Sequence, residues 1–389
     1  MKNIDAYKIY NTSLAIMLFT LPVTEGIKQI SLFLTILAGC YIVFKDKKRV
    51  ELDLINIGII AFISFTIISC IVNQSPAKSI MDPLRCALFF IVARAVGAEK
   101  LNLKFLFYAL SAGFIVAFVM GCVTKFSSTD PSELFQLKSI GHVNHSSIFM
   151  LLVFSISVAL INQKNNILKY LAIFISIVSV VGVIITGSRA TMYLLPVVFA
   201  ITLAYFALSK QTNIKTTFLF LGIFVLVAIF TSYIVPDERI HQKIAMGITS
   251  NETRMPIFYS AIYTWQEHPF FGIGSENFKI IDITQYFPGN YEVNRSHAHN
   301  TFLTFLTEKG IFALIGYLIF QISLFFKLIK HIRVSILAFM AISVLAINNI
   351  ISIANTTFHH ENALLMLCVW ALAIGIVDKI NEKNSISKS

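Results

Sequence analysis

Charge is scarce in this sequence: charged side chains make up 13% of the 389 residues, where an average soluble chain carries about 25%. Apolar side chains make up 56%. So few polar groups could not clothe a soluble fold of this length, which excludes that class. Five cysteines are present, odd in number and unclustered. That excludes a disulfide scaffold. Cys40, Cys70, Cys86, Cys122 and Cys368 each fall inside an apolar run and read as small buried hydrophobes. The same composition excludes disorder, collagen and coiled coil, and no repeat of solenoid period and no low-complexity tract occurs. With a mean hydropathy of +0.76, what is left is an all-α polytopic membrane protein.

A span needs about 20 apolar residues to cross the hydrocarbon layer. Twelve candidates can be read: Tyr10–Val23, Ile27–Phe44, Leu54–Asn73, Ser79–Val96, Lys104–Val123, Val143–Ile161, Ile167–Thr186, Ala190–Ser209, Thr216–Val235, Asn300–Lys327, Val334–Asn355 and Ala363–Val377. The apolar runs are continuous rather than alternating, so they predict helices and not a barrel. The first is short, and no small-residue cleavage site follows it, so it is expected to stay as a helix. The spans divide the chain into residues 1–235 with spans one to nine, a loop domain over 236–299, and residues 300–389 with spans ten to twelve and a polar tail.

The formal net charge of +11 is read through topology rather than as a sign of nucleic-acid binding. With a cytoplasmic N-terminus, the even-to-odd connections and the tail hold most of the Lys and Arg residues. This asymmetry predicts both termini in the cytoplasm. Two outer segments exceed linkers. In Thr124–His142 the run Asp130-Pro131-Ser132-Glu133 reads as a helix start. A short amphipathic helix over Leu134–Ile140 is expected to follow along the membrane surface. In Pro236–His299, Met255, Phe258, Tyr259, Ile262 and Trp265 mark one face of a helix that His268-Pro269 ends. The Gly272-Ile273-Gly274 stretch after it reads as a turn.

Charges near membrane depth are few and therefore informative. Arg189 follows a tight break at Thr186-Gly187-Ser188, where Gly187 ends one helix and Ser188 can cap the next. A cation at that positive helix end suits a bound anion; snorkelling to the interface is the ordinary alternative. Arg254 repeats the pattern, because Pro256 is tolerated only in a first helical turn. A surface pair with Glu252 or Glu238 is its alternative. Arg239 and Arg295 are weaker anion-binding candidates. His297-Ala298-His299-Asn300 leads into span ten, with Asn300 as cap and His299 held near the membrane plane. A neutral imidazole there can take a proton from a sugar hydroxyl. Asp82 and Arg85 are spaced to pair, though Arg85 could also face the site. The histidine pair with His359-His360-Glu361 makes a zinc rival, but without helical ligand spacing or a cysteine no metal and no cofactor is expected.

The stretch His268-Pro269-Phe270-Phe271-Gly272-Ile273-Gly274-Ser275-Glu276-Asn277-Phe278, then His299-Asn300-Thr301-Phe302-Leu303 and Gly310, resembles the signature of the O-antigen ligase and polymerase superfamily. Gly187-Ser188-Arg189 before a hydrophobic helix matches too. Length and loop position look more like the ligase. The resemblance implies about twelve transmembrane helices with one long periplasmic loop, of the GT-C type, in a Gram-negative inner membrane with its site facing the periplasm. It implies a metal-independent, inverting transfer of O-antigen from an undecaprenyl-pyrophosphate-linked donor to a lipid A–core acceptor among membrane lipids. His299, Arg189 and Arg254 match the family's essential residues; His297 is an extra histidine, and which of the two acts is open. A polymerase is the nearest alternative. A lipid-linked sugar transporter is more distant, because the ionisable groups crowd one outer face.

Overall fold

Polar caps and apolar bodies define many of the helices. A computed structural model describes residues 5–128, 134–209, 222, 225, 229, 254–286, 297–358 and 360–386. Helix accounts for 78% and no strand occurs among the described residues. Eight helices come first: α1 (Ala6–Thr20), α2 (Glu25–Lys45), α3 (Leu54–Val72), α4 (Ala77–Val96), α5 (Leu103–Ser127), α6 (Val143–Ala159), α7 (Asn166–Thr186) and α8 (Arg189–Ser209). Asp5, Asp53, Asn102 and Asn165 cap α1, α3, α5 and α7 by accepting backbone N–H groups. After them come α9 over 254–267, the single turn α10 (Ile283–Tyr286), α11 (Thr301–Ile329), α12 (Ile336–Ser352) and α13 (His360–Ile386).

Every expected span that falls on described residues is a helix. Seven of these helices are long and apolar enough to cross a membrane, and the chain is a multi-pass membrane protein. Helix α1 is shorter, at 15 residues, and packs on α2 and α5. The ninth expected span, Thr216–Val235, lies outside the described residues apart from three helical positions, as does the Asp130–Glu133 helix start.

Two helices are enclosed. All of α6 from Ser146 onward is buried, as is most of α13, as befits helices apolar on every side. A close crossing joins α3 and α11. A Cβ on Gly58 would stand 2.5 Å from the Phe320 nitrogen, and one on Gly316 would stand 2.5 Å from that of Phe62. Small residues let these backbones approach as membrane helices do. Pro83 breaks the ladder of α4, and the Cys70 thiol reaches the Ser79 carbonyl it frees, at 3.8 Å. At one end of the bundle Arg94 pairs with Glu51, Asp53 and Asp378, and Lys327 joins the same acids.

Two expectations need correction. Leu134–Ile140 is not a surface helix: it runs irregularly to a turn over 138–140. Phe135 and Leu137, two apart, both point into the protein, and Phe135 meets Phe118 at 5.3 Å. Alternating burial is the pattern of extended chain, and the buried Leu137 N–H is satisfied by Ser146 Oγ rather than by a helical carbonyl. The second correction concerns α9, a helix as expected but buried on another face. Met255 and Tyr259 are exposed, whereas Ile257, Ser260, Ala261 and Thr264 are buried. Small side chains on that face let α11 come near enough for the Thr307 hydroxyl to donate to the Ala261 carbonyl, at 3.0 Å.

Candidate active site

The segment before α11 is fixed from three directions. The Asn300 side chain accepts the Leu303 N–H at 2.9 Å, as an N-cap does, while its amide donates to the Ile353 carbonyl at 3.0 Å. The Thr301 hydroxyl donates to the Asn355 carbonyl. Arg254 Nη1 reaches the carbonyl between them, Ala354, at 3.4 Å. The chain leaving α12 therefore offers three successive carbonyls, at the negative end of a helix, that bind the start of α11 and the start of α9 to one platform.

His299 is held with φ +50°, a left-handed conformation that histidine and asparagine tolerate better than most residues. Its N–H donates to His297 Nδ1 at 3.0 Å, and the two rings stand 4.4 Å apart. His297 thus uses Nδ1 as an acceptor, which in the neutral ring leaves the proton on Nε2. Burial, and then the charges of His299, His145, His142 and Arg254, push His297 down to about 3. Burial lowers Arg254 too, followed by repulsion from Arg189. The charge of Arg189 is thus felt at Arg254, and that of Arg254 at His297. Arg189 stands where the sequence predicts: Gly187 ends α7 in the left-handed region and α8 opens on Arg189.

His297 and His299 line a cavity of about 380 Å³ enclosed by α3, α4, α11, α13 and the start of α6. Arg85 lines it as well and pairs with Asp82 at 3.1 Å, as its spacing predicts. Arg189, Arg254 and Asn300 are not among the lining residues. Arg239 and Arg295 lie outside the described residues, as do Glu238, Glu252 and His359. Among the described residues no group of His, Cys, Asp or Glu is placed to hold a metal ion. Glu361 of the zinc rival is engaged with Lys28.

Sequence reasoning missed several residues of the cavity wall. His142 caps α6 through Nδ1 and faces His145 at 5.4 Å. Lys28 is buried between Glu25 and Glu361, and Glu308 and Lys309 line the wall from α11. A lone charge in an apolar run was the available signal for Lys28, Glu308 and Lys309. For His142 and His145 there was none.

The glycine motif turns out to be a joint. Gly310 has φ 79° and ψ 177° and breaks α11. The carbonyls of Thr307 and Glu308 then accept from the N–H groups of Ile273 and Gly274, and the Ile311 N–H donates back to Pro269. The loop after α9 thereby takes the partners that the broken helix lost. A Cβ on Gly272 would stand 2.4 Å from the Thr307 carbonyl oxygen.

With the site assembled, residues 171–318 match the family model described as O-antigen ligase. Over this stretch the chain is similar to the O-antigen ligase family. The match runs from α7 through the break in α11 and holds Arg189, Arg254, His297, His299 and Gly310. Members of the superfamily are glycosyltransferase-like membrane enzymes, ligases and polymerases. No curated protein matches the chain.

Proposed function

We propose that the protein is an O-antigen ligase. It moves a glycan from an undecaprenyl-pyrophosphate donor to a sugar hydroxyl of lipid A–core, without a metal and with inversion. The reading carries with it a twelve-span GT-C plan in the bacterial inner membrane, cytoplasmic termini, a loop domain over 236–299 and a site open to the periplasm. The observation that supports it best is the platform after α12, to which Arg254 and the segment of His299 are both tied beside a cavity.

In this mechanism the acceptor hydroxyl oxygen attacks the anomeric carbon from the face opposite the diphosphate. The new C–O bond forms as the bond to the diphosphate breaks, and the diphosphate leaves with that electron pair. Arg254 and Arg189 face the charge that grows on the departing oxygen, where preorganised cations are most effective. His299 takes the hydroxyl proton. His297 orients His299 by accepting its N–H. Arg239 and Arg295 serve the donor, and Arg85 the cavity.

His299→Asn tests the base directly, because asparagine tolerates the left-handed backbone. The variant is expected to insert and fold yet lose transfer by about a hundredfold or more. Transfer at the wild-type rate by the folded variant would remove the histidine from the mechanism. A deletion strain separates ligase from polymerase. Long polymer stranded on its lipid carrier supports the ligase; single repeats on the core support the polymerase. Activity lost to a chelator and restored by zinc would overturn the metal-independent step.

A further inference from the structure

Lys309 is placed where a cation is costly. It lies inside α11 just before the break, lines the cavity, and holds its Nζ 4.9 Å from the ring centre of Phe62 and 4.4 Å from that of Phe305. Two ring faces attract an ammonium, but they recover only part of what its removal from water costs. Among the described residues it forms no ion pair and donates no hydrogen bond. The other cations of the cavity are matched: Lys28 by Glu25 and Glu361, and Arg85 by Asp82. Glu308, the neighbouring acid, accepts the Phe278 N–H at 3.3 Å. An ammonium on the wall of a cavity, held over two rings and in no ion pair, suits an oxyanion from outside. A volume of about 380 Å³ admits a phosphate with an attached sugar ring.

We propose that Lys309 forms an anion subsite inside the cavity that takes a phosphate group of the substrate. It is separate from the Arg189–Arg254 pair, which does not line the cavity. Assigning that phosphate to a substrate rests on the transferase reading above; anion binding itself does not. Two sources share the chemistry, the donor's diphosphate and a phosphate carried by the acceptor.

The test uses the full chain in lipid nanodiscs, titrated with inorganic pyrophosphate by calorimetry. Lys309→Met is expected to lose one site or weaken binding by about tenfold or more, and Lys309→Arg to stay within about threefold of wild type. Lys309→Met should also melt no lower than wild type, because it removes a half-buried cation that forms no ion pair. Unchanged affinity in Lys309→Met overturns the proposal; so does a lower melting temperature that Lys309→Arg fails to restore. Steady-state transfer then separates the sources. A raised KM for the lipid-diphosphate donor assigns the subsite to the diphosphate, and a raised KM for the acceptor assigns it to an acceptor phosphate. Active Lys309→Met with both KM values unchanged overturns the proposal. Pyrophosphate binding by a chain with no transfer activity would sink the ligase reading and leave the subsite standing.

Discussion

His297 and His299 stand two residues apart, but their roles divide at a single hydrogen bond. His297 accepts the His299 N–H through Nδ1 and is held neutral by burial and by the charges around it, down to about pH 3. That has a consequence for stability. In the unfolded chain His297 takes a proton near pH 6.5, while in the folded chain it does so only near 3. Between those values the unfolded state binds more protons, so stability rises with pH through this window and is lost as pH falls. Above about pH 6.5 both states are neutral and the residue adds no pH dependence. His297→Asn keeps an acceptor near the Nδ1 position and removes the titration. Its melting temperature is therefore expected to fall less than that of wild type between pH 7 and pH 5, measured by thermal unfolding in detergent. Parallel curves for the two proteins would show that His297 is not held neutral.

At the scale of elements, the deciding structure is the joint between α11 and the loop after α9. Gly310 sits in a region of backbone space open essentially to glycine alone, and a Cβ there would stand 2.0 Å from the Phe270 carbonyl oxygen. Gly310→Ala must either close the break or push the loop away, and both sever the hydrogen bonds to Ile273, Gly274 and Ile311. The expected cost is at least about 1–3 kcal/mol from the backbone alone. Limited proteolysis should find new cleavage between 268 and 280 in the variant; a wild-type digestion pattern would show that the loop is held by something else. This joint also shows what the sequence could reveal. Asn300 as a cap, Gly187 as a stop and the Asp82–Arg85 pair were legible because each is a local rule acting over a few residues. That Gly272 and Gly310 meet was not legible, since no local rule links a turn to a helix break so far along the chain. The face that α9 buries was misread for a related reason. Its large apolar residues mark a helix, but the neighbouring helix selects the small ones.

For the molecule as a whole, charge is sorted to two ends. Arg94, Asp53, Glu51, Lys327 and Asp378 gather at one end, and the histidines, Lys28 and the Asp82–Arg85 pair at the cavity mark the other. In the proposed topology these ends lie on opposite sides of the membrane, and the distribution of Lys and Arg predicts which side is which. The Arg94 end coincides with the basic connection over residues 45–53, so it is expected to face the cytoplasm. Single cysteines in a cysteine-free background test the assignment. Arg49 is exposed at the first end and Lys279 at the second. A membrane-impermeant maleimide added to cells with an intact inner membrane and a permeabilised outer membrane should label Lys279→Cys and leave Arg49→Cys unmodified until the inner membrane is lysed. The opposite pattern would turn the protein over and put the cavity on the cytoplasmic side. There a lipid-linked glycan awaiting transfer outside the inner membrane could not reach His299, so the labelling also bears on the chemistry proposed for the site.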